Sequence, residues 1–97
     1  LNNNAFTPNN DGVNDWLILN YSLPDNGFWA TITLYTRDGY EIGVLADNIL
    51  LNQSGEWIWH GNNPNGGLID AGLYILQISA YNLNGTKINT KIIFIKQ

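Results

Sequence analysis

The feature that most constrains this chain is the alternation of apolar and polar side chains between short turns. Residues 28–35 read FWATITLY and residues 73–82 read LYILQISAYN. A period of two puts every second side chain on the same face of an extended strand, and β-branched and aromatic residues favour that conformation. In the first segment, Ala30, Ile32 and Leu34 share one face. Both segments are therefore predicted to be half-buried β-strands.

The same pattern predicts further strands at residues 16–21, 40–45, 55–61 and 86–95. In the last of these one face carries Ile88, Thr90, Ile92 and Phe94. Asp38-Gly39 and Asn84-Gly85 are typical of β-hairpin turns, and the glycine- and asparagine-rich residues 62–67 are predicted to form a long turn. Residues 46–52 are expected to be an irregular crossing with Ile49, Leu50 and Leu51 turned inward. About seven antiparallel strands result, which predicts an all-β, immunoglobulin-like sandwich forming a single domain over residues 1–97.

Composition supports a packed β-domain and excludes one class of partner. The 97 residues include four Trp, five Tyr and three Phe, enough large side chains for a core. The net charge is −4 and the basic residues are only Arg37, Lys87, Lys91 and Lys96, so nucleic-acid binding is not expected. Cysteine is absent, which excludes disulfides. No apolar run approaches the roughly 18 residues of a membrane span.

The chain begins at Leu1 and shows no signal peptide. We therefore expect it to be a piece of a longer protein.

Residues 4–15 are rich in turn-forming and oxygen-bearing side chains. Pro8 and Gly12 favour a turn, which we expect to lead directly into the first long strand. The side chains of Asn9, Asp11 and Asp15 with the Val13 carbonyl could bind Ca²⁺, which prefers oxygen ligands. The closing Glu of an EF-hand is missing. An ion-free turn, in which Asn9 and Asp11 accept backbone hydrogen bonds, is the favoured alternative.

Several motifs resemble one family of bacterial surface domains. Residues 6–15 (FTPNNDGVND) resemble the FTPNGDGVND opening of the C-terminal domains of Bacteroidetes gliding-motility and type IX secretion proteins. Residues 34–42 (LYTRDGYEI), 59–63 (WHGNN) and 72–75 (GLYI) follow the order of that family's later motifs, and residues 91–97 (KIIFIKQ) resemble its terminal strand. The middle motifs also resemble the Ig-like domain of flagellar hook-capping proteins. One departure is His60, where the family usually has Asp.

The resemblance implies a non-enzymatic domain at the C-terminus of a larger cargo protein. Such a domain is read by the type IX outer-membrane machinery, which exports the cargo through the periplasm and outer membrane to the cell surface. The residues expected to be recognised lie in the terminal strand and at the start of the strand before it. They are Lys91, Phe94, Lys96, Gln97, Gly72 and Tyr74. Lysines on such a strand also discourage pairing between sheets of different molecules.

Two other functions are compatible with the sequence. Exposed tryptophans stack on sugars, and alternation puts Trp29 on the face opposite Ile32, whereas Trp57 and Trp59 are expected in the core. A carbohydrate- or calcium-dependent adhesion module is one alternative, and a structural spacer that self-associates is the other. His60 is the only histidine, and nothing in the sequence places Ser22, Ser54 or Ser79 beside it, so no catalytic site is expected.

Overall fold

Seven β-strands make up the fold. The structure, a computed structural model, describes residues 5–9 and 17–96, with only the backbone of Asn9. The strands are β1 (Phe6–Asn9), β2 (Leu17–Ser22), β3 (Phe28–Thr36), β4 (Glu41–Leu51), β5 (Ser54–Trp59), β6 (Gly72–Tyr81) and β7 (Lys87–Lys96). None of the described residues is helical. The predicted all-β class and the number of strands are confirmed.

The strands form two antiparallel sheets. The smaller sheet has the order β1-β2-β5 and the larger sheet has the order β4-β3-β6-β7. Every described strand pair is antiparallel. One hydrophobic cluster joins residues of both sheets, which is the packing expected of a β-sandwich.

The core consists of the inward-facing side chains that alternation predicts. In β3, Ala30, Ile32 and Leu34 are buried together with Phe28. The buried residues of β6 are Leu76, Ile78 and Ala80, and those of β7 are Ile92 and Phe94. The smaller sheet contributes Phe6, Leu17, Leu19, Tyr21 and Trp59. The predicted strand faces are therefore confirmed.

The prediction of a turn across residues 4–15 is wrong for residues 6–9, which form β1. Phe6 is buried, and its ring centroid lies 6.0 Å from that of Tyr21, its partner in β2. Burial of an aromatic ring outweighs the turn preference of Thr7-Pro8-Asn9. Pro8 is tolerated because β1 is the outermost strand in the described sheet, where a missing N–H costs little.

The prediction of an irregular crossing at residues 46–52 is also wrong. β4 continues through Leu51 and pairs with β3 as Leu51 with Phe28, Leu50 with Trp29 and Ile49 with Ala30. Three register shifts interrupt this pairing, and such bulges obscure the alternation in the sequence. Leu51 is buried and Ile49 is half-buried as expected, but Leu50 is 61% exposed because it lies opposite the outward Trp29.

Both predicted hairpins are present. The β3–β4 turn is closed by the Gly39 N–H, which donates to the Thr36 carbonyl at 3.0 Å. In the β6–β7 turn, the Gly85 N–H donates to the Asn82 carbonyl at 3.2 Å. Gly39 and Gly85 have φ values of 91° and 89°, a region that glycine reaches without steric cost.

Candidate functional site

The terminal strand β7 forms a long, regular edge of the larger sheet. It pairs with β6 through ten consecutive residue pairs, from Lys87–Tyr81 to Lys96–Gly72, without a register shift. Within residues 5–9 and 17–96, β6 is its only pairing partner. An unpaired strand edge presents backbone N–H and C=O groups that another strand can bind.

The other sheet edges are less suited to strand pairing. β4, at the opposite side of the larger sheet, carries three register shifts. β1 spans four residues and contains Pro8, which has no N–H to donate, and β5 spans six residues. Short or bulged edges resist the addition of a further strand. β7 is therefore the edge of the described sheets that best fits an incoming strand.

β7 also borders a groove along the side of the sandwich. The groove has a volume of about 320 Å³ and is lined by Phe6, Thr7 and Pro8 of β1 and by residues 90–93 of β7. The edges of the two sheets face each other across it. A bound extended segment would thus contact both sheets.

The side chains of β7 divide between the core and the solvent. Ile92 and Phe94 point inward and are buried. Lys91 is exposed, Ile93 is 65% exposed and Ile95 is 60% exposed. Ile93 and Ile95 are thus two exposed aliphatic side chains at alternate positions of an edge strand, where a bound strand could contact both.

The residues predicted for recognition have different environments. Lys91 is exposed on β7, whereas Phe94 is packed edge-on against Trp59 and stacked on Tyr74, with centroid distances of 5.3 and 5.9 Å. Lys96 is half-buried at the end of β7, opposite Gly72 in the register. Gln97 lies outside the described residues.

Tyr74 fixes the start of β6. Its hydroxyl donates to the Asp70 carbonyl at 2.8 Å, and its ring stacks on Phe94. Tyr74 and Phe94 thus hold β7 in place, while the exposed side chains are available to a partner. Sequence reasoning missed Ile93 and Ile95, although alternation with the inward Ile92 and Phe94 could have identified them.

The solvent-facing side of the larger sheet, called the outer face below, is organised in rows across the strands. The register places Leu50, Trp29, Tyr81 and Lys87 in row one; Thr31, Ser79 and Asn89 in row two; Val44, Thr33, Gln77 and Lys91 in row three; and Glu41, Tyr35, Ile75 and Ile93 in row four. Trp29 is half-buried and Tyr81 is 38% exposed. A depression of about 240 Å³ lies between rows three and four, lined by Tyr35, Gly39, Ile75, Gln77 and Lys91.

The loop after β5 is braced by its own hydrogen bonds. The buried Trp59 donates its indole N–H to the Asn62 carbonyl at 2.8 Å. The Asn63 side-chain oxygen accepts from the N–H groups of Asn65 and Gly67 at 2.9 and 3.1 Å. Trp57, two residues before Trp59, is half-buried against the core. Both tryptophans of β5 thus have packing roles.

The serines considered with His60 are spread over the molecule. His60 is exposed just after the end of β5, and Ser54 begins that strand, so the strand rise separates them by about 20 Å. Ser22 pairs with Ser54, and Ser79 lies on the outer face, where its hydroxyl donates to the Asn89 side-chain oxygen at 2.9 Å. The described residues do not bring a serine to His60 as a catalytic triad requires.

The calcium hypothesis falls mostly outside the described residues. Asp11, Val13 and Asp15 belong to residues 10–16, which the structure does not describe, and Asn9 is described by its backbone alone, paired with Ile18. Elsewhere in the described chain, no group of three or more His, Cys, Asp or Glu side chains is arranged to hold a metal ion. Calcium binding at the opening segment stays a hypothesis.

Comparison with known proteins leaves the site to be interpreted from its geometry. No family model, curated protein or solved structure matches the chain. Across residues 5–9 and 17–96, no helix of the length and apolarity needed to cross a membrane is found.

Proposed function

We propose that this chain is a non-enzymatic C-terminal sorting and attachment domain. It directs a larger secreted protein through the type IX secretion machinery of the outer membrane to the cell surface. The observation that carries the proposal is the long, regular edge of β7, with Lys91, Ile93 and Ile95 exposed beside it. We also propose that the sandwich is of the immunoglobulin-like type.

The geometry of β7 is well suited to recognition by an added strand. Backbone groups of an edge strand supply affinity that does not depend on sequence, and alternate side chains supply specificity. In β7 the inward side chains Ile92 and Phe94 belong to the core. Substitution of the outward side chains could therefore change the specificity of recognition without loss of core packing.

The delivery function is tested with residues 1–97 fused behind a signal peptide and a fluorescent reporter in a type IX-competent host. We expect reporter at the cell surface. Retention in the periplasm, equal to that of a scrambled-sequence control, would refute the proposal.

The role of β7 is tested in the same assay by the double variant Ile93→Gln/Ile95→Gln. Both side chains are exposed, so the variant is expected to fold and to lose surface delivery. The matched control is Ile58→Gln, an exposed isoleucine on β5 of the other sheet. Equal surface delivery of the wild type, the double variant and the control would show that the secretion machinery does not recognise the outward side chains of β7.

A further inference from the structure

We propose that rows one to three of the outer face bind an acidic polysaccharide, a sugar chain that bears carboxylates such as those of uronic acids. This binding is a separate activity from sorting, although Lys91 of β7 belongs to both surfaces. It rests on the aromatic pair in row one, the polar side chains of row two and the lysines at the β7 end of rows one and three.

The first observation is the aromatic pair. Trp29 and Tyr81 are direct partners in the β3–β6 register, so their side chains project from neighbouring positions on the outer face. Tyr81 is held by its hydroxyl, which donates to the Asn48 side-chain oxygen at 3.0 Å. Aromatic rings offer an apolar surface with a polar rim, and sugar rings stack on such a surface through their C–H faces.

The second observation is the polar row beside the aromatic pair. Thr31, Ser79 and Asn89 are consecutive across β3, β6 and β7. Ser79 donates to the Asn89 side-chain oxygen at 2.9 Å, which leaves the two amide N–H donors of Asn89 for a ligand. Because the Thr31 hydroxyl accepts from the Asn48 N–H at 3.2 Å, its own hydrogen is also available. The row therefore presents oriented donors to sugar hydroxyls.

The third observation is the charge of this surface. Lys87 ends row one and Lys91 ends row three, about 13 Å apart by the strand rise. The β4 bulge places the exposed Asp47 opposite Thr31 at the far end of row two, and Glu41 ends row four on the same strand. These acidic side chains lie on β4, at the opposite edge of the sheet from the lysines on β7. Positive charge is therefore concentrated at the β7 end of rows one to three, which favours an anionic ligand there.

The dimensions fit an extended polymer better than a small ion. Four strands span about 14 Å and three rows span about 13 Å. Two lysines are too few to bind a nucleic acid, whose affinity depends on neutralising many phosphates. A sugar chain needs fewer charges because stacking and hydrogen bonds contribute the rest.

The test uses the purified chain and two matched probes. Oligogalacturonate carries a carboxylate on each sugar, and its methyl ester carries none. We expect binding of oligogalacturonate by calorimetry, weakening as salt is raised, and much weaker binding of the ester. If the chain bound neither probe, or bound both with equal affinity, the proposal would be overturned.

Variants locate the site. Lys87→Gln/Lys91→Gln changes two exposed side chains and should reduce the affinity strongly, whereas Arg37→Gln, in the β3–β4 turn, removes a positive charge away from the three rows and should not. Trp29→Ala should abolish binding, and a melting curve checks that it folds. Binding unchanged by the double lysine variant would overturn the proposal. Because the assay uses no secretion host, its result is independent of the sorting function.

Discussion

The ring of Trp59 in β5 meets the ring of Phe94 in β7 edge-on, with centroids 5.3 Å apart and an interplanar angle of 82°. This contact joins the smaller sheet to the terminal strand of the larger one. Phe94 in turn stacks on Tyr74 of β6. The three rings therefore couple the position of β7 to the sandwich core.

Loss of the Phe94 ring should destabilise the whole domain. Phe94→Ala removes a buried ring and leaves a cavity beside Trp59, which we expect to cost about 3–5 kcal/mol in the free energy of unfolding. Ile93→Ala, on the exposed side of the same strand, should cost about 0.5 kcal/mol or less. Urea denaturation measures both. Similar losses for the two variants would contradict the assigned faces of β7.

The indole N–H of Trp59 should stabilise the loop that follows β5. Trp59→Phe removes the hydrogen bond to the Asn62 carbonyl, at a cost of about 1–2 kcal/mol including the smaller ring. The amides of Gly67 and Ile69, which are bonded within this loop, should exchange with solvent faster. Hydrogen exchange detected by NMR gives the rates, and Trp57→Phe is the control. Equal acceleration in the control would assign the effect to general destabilisation.

The side chain of Asn82 should stabilise the β6–β7 hairpin. Its buried side-chain oxygen accepts from the N–H groups of Asn84 and Thr86 at 3.1 and 2.9 Å. Asn82→Ala leaves both donors without this acceptor and should cost about 2 kcal/mol in thermal or urea unfolding. The side chain of Asn84 is exposed, so Asn84→Ala should have little effect. An Asn82→Ala chain as stable as the wild type would show that the turn does not depend on this side chain.

Removal of calcium should not change the stability of the domain. The sequence favours an ion-free turn in which the side chains of Asn9 and Asp11 would accept backbone hydrogen bonds. The melting temperature is therefore expected to be the same with EDTA and with added CaCl₂. A rise in melting temperature with calcium that Asp11→Asn removes would instead establish the site formed by Asn9, Asp11, Val13 and Asp15, because a ligand that binds the folded state stabilises it.

The sequence alone predicts the buried face of a strand correctly where the strand is regular. In β3, β6 and β7 the period of two identifies the buried face, because unbroken pairing keeps each side chain on its side of the sheet. It failed in β4, where bulges shift the phase, and Leu50 consequently points outward. It also failed at Phe6–Asn9, where long-range burial of Phe6 against Tyr21 overrides local turn preference.

The candidate site was only partly predictable for a related reason. Sequence reasoning identified β7 and Lys91 and placed Phe94 on one face with Ile92, but it still counted Phe94 among the residues to be recognised. The packing of Phe94 against Trp59 is a contact between residues far apart in the chain, which the sequence alone does not show. The row that joins Trp29 to Lys87 likewise exists only once the register of three strands is known.

The two sides of the larger sheet also limit how copies of this domain can assemble. If two molecules join through β7, the outer edges of the joined larger sheet are then the bulged β4 strands, and the remaining edges of the described sheets are the short β1 and β5. A fibre needs a pairing surface at both ends, so growth stops at a dimer. The irregularity of β4 thus disfavours polymerisation of the domain while leaving the β7 side of the sheet able to pair.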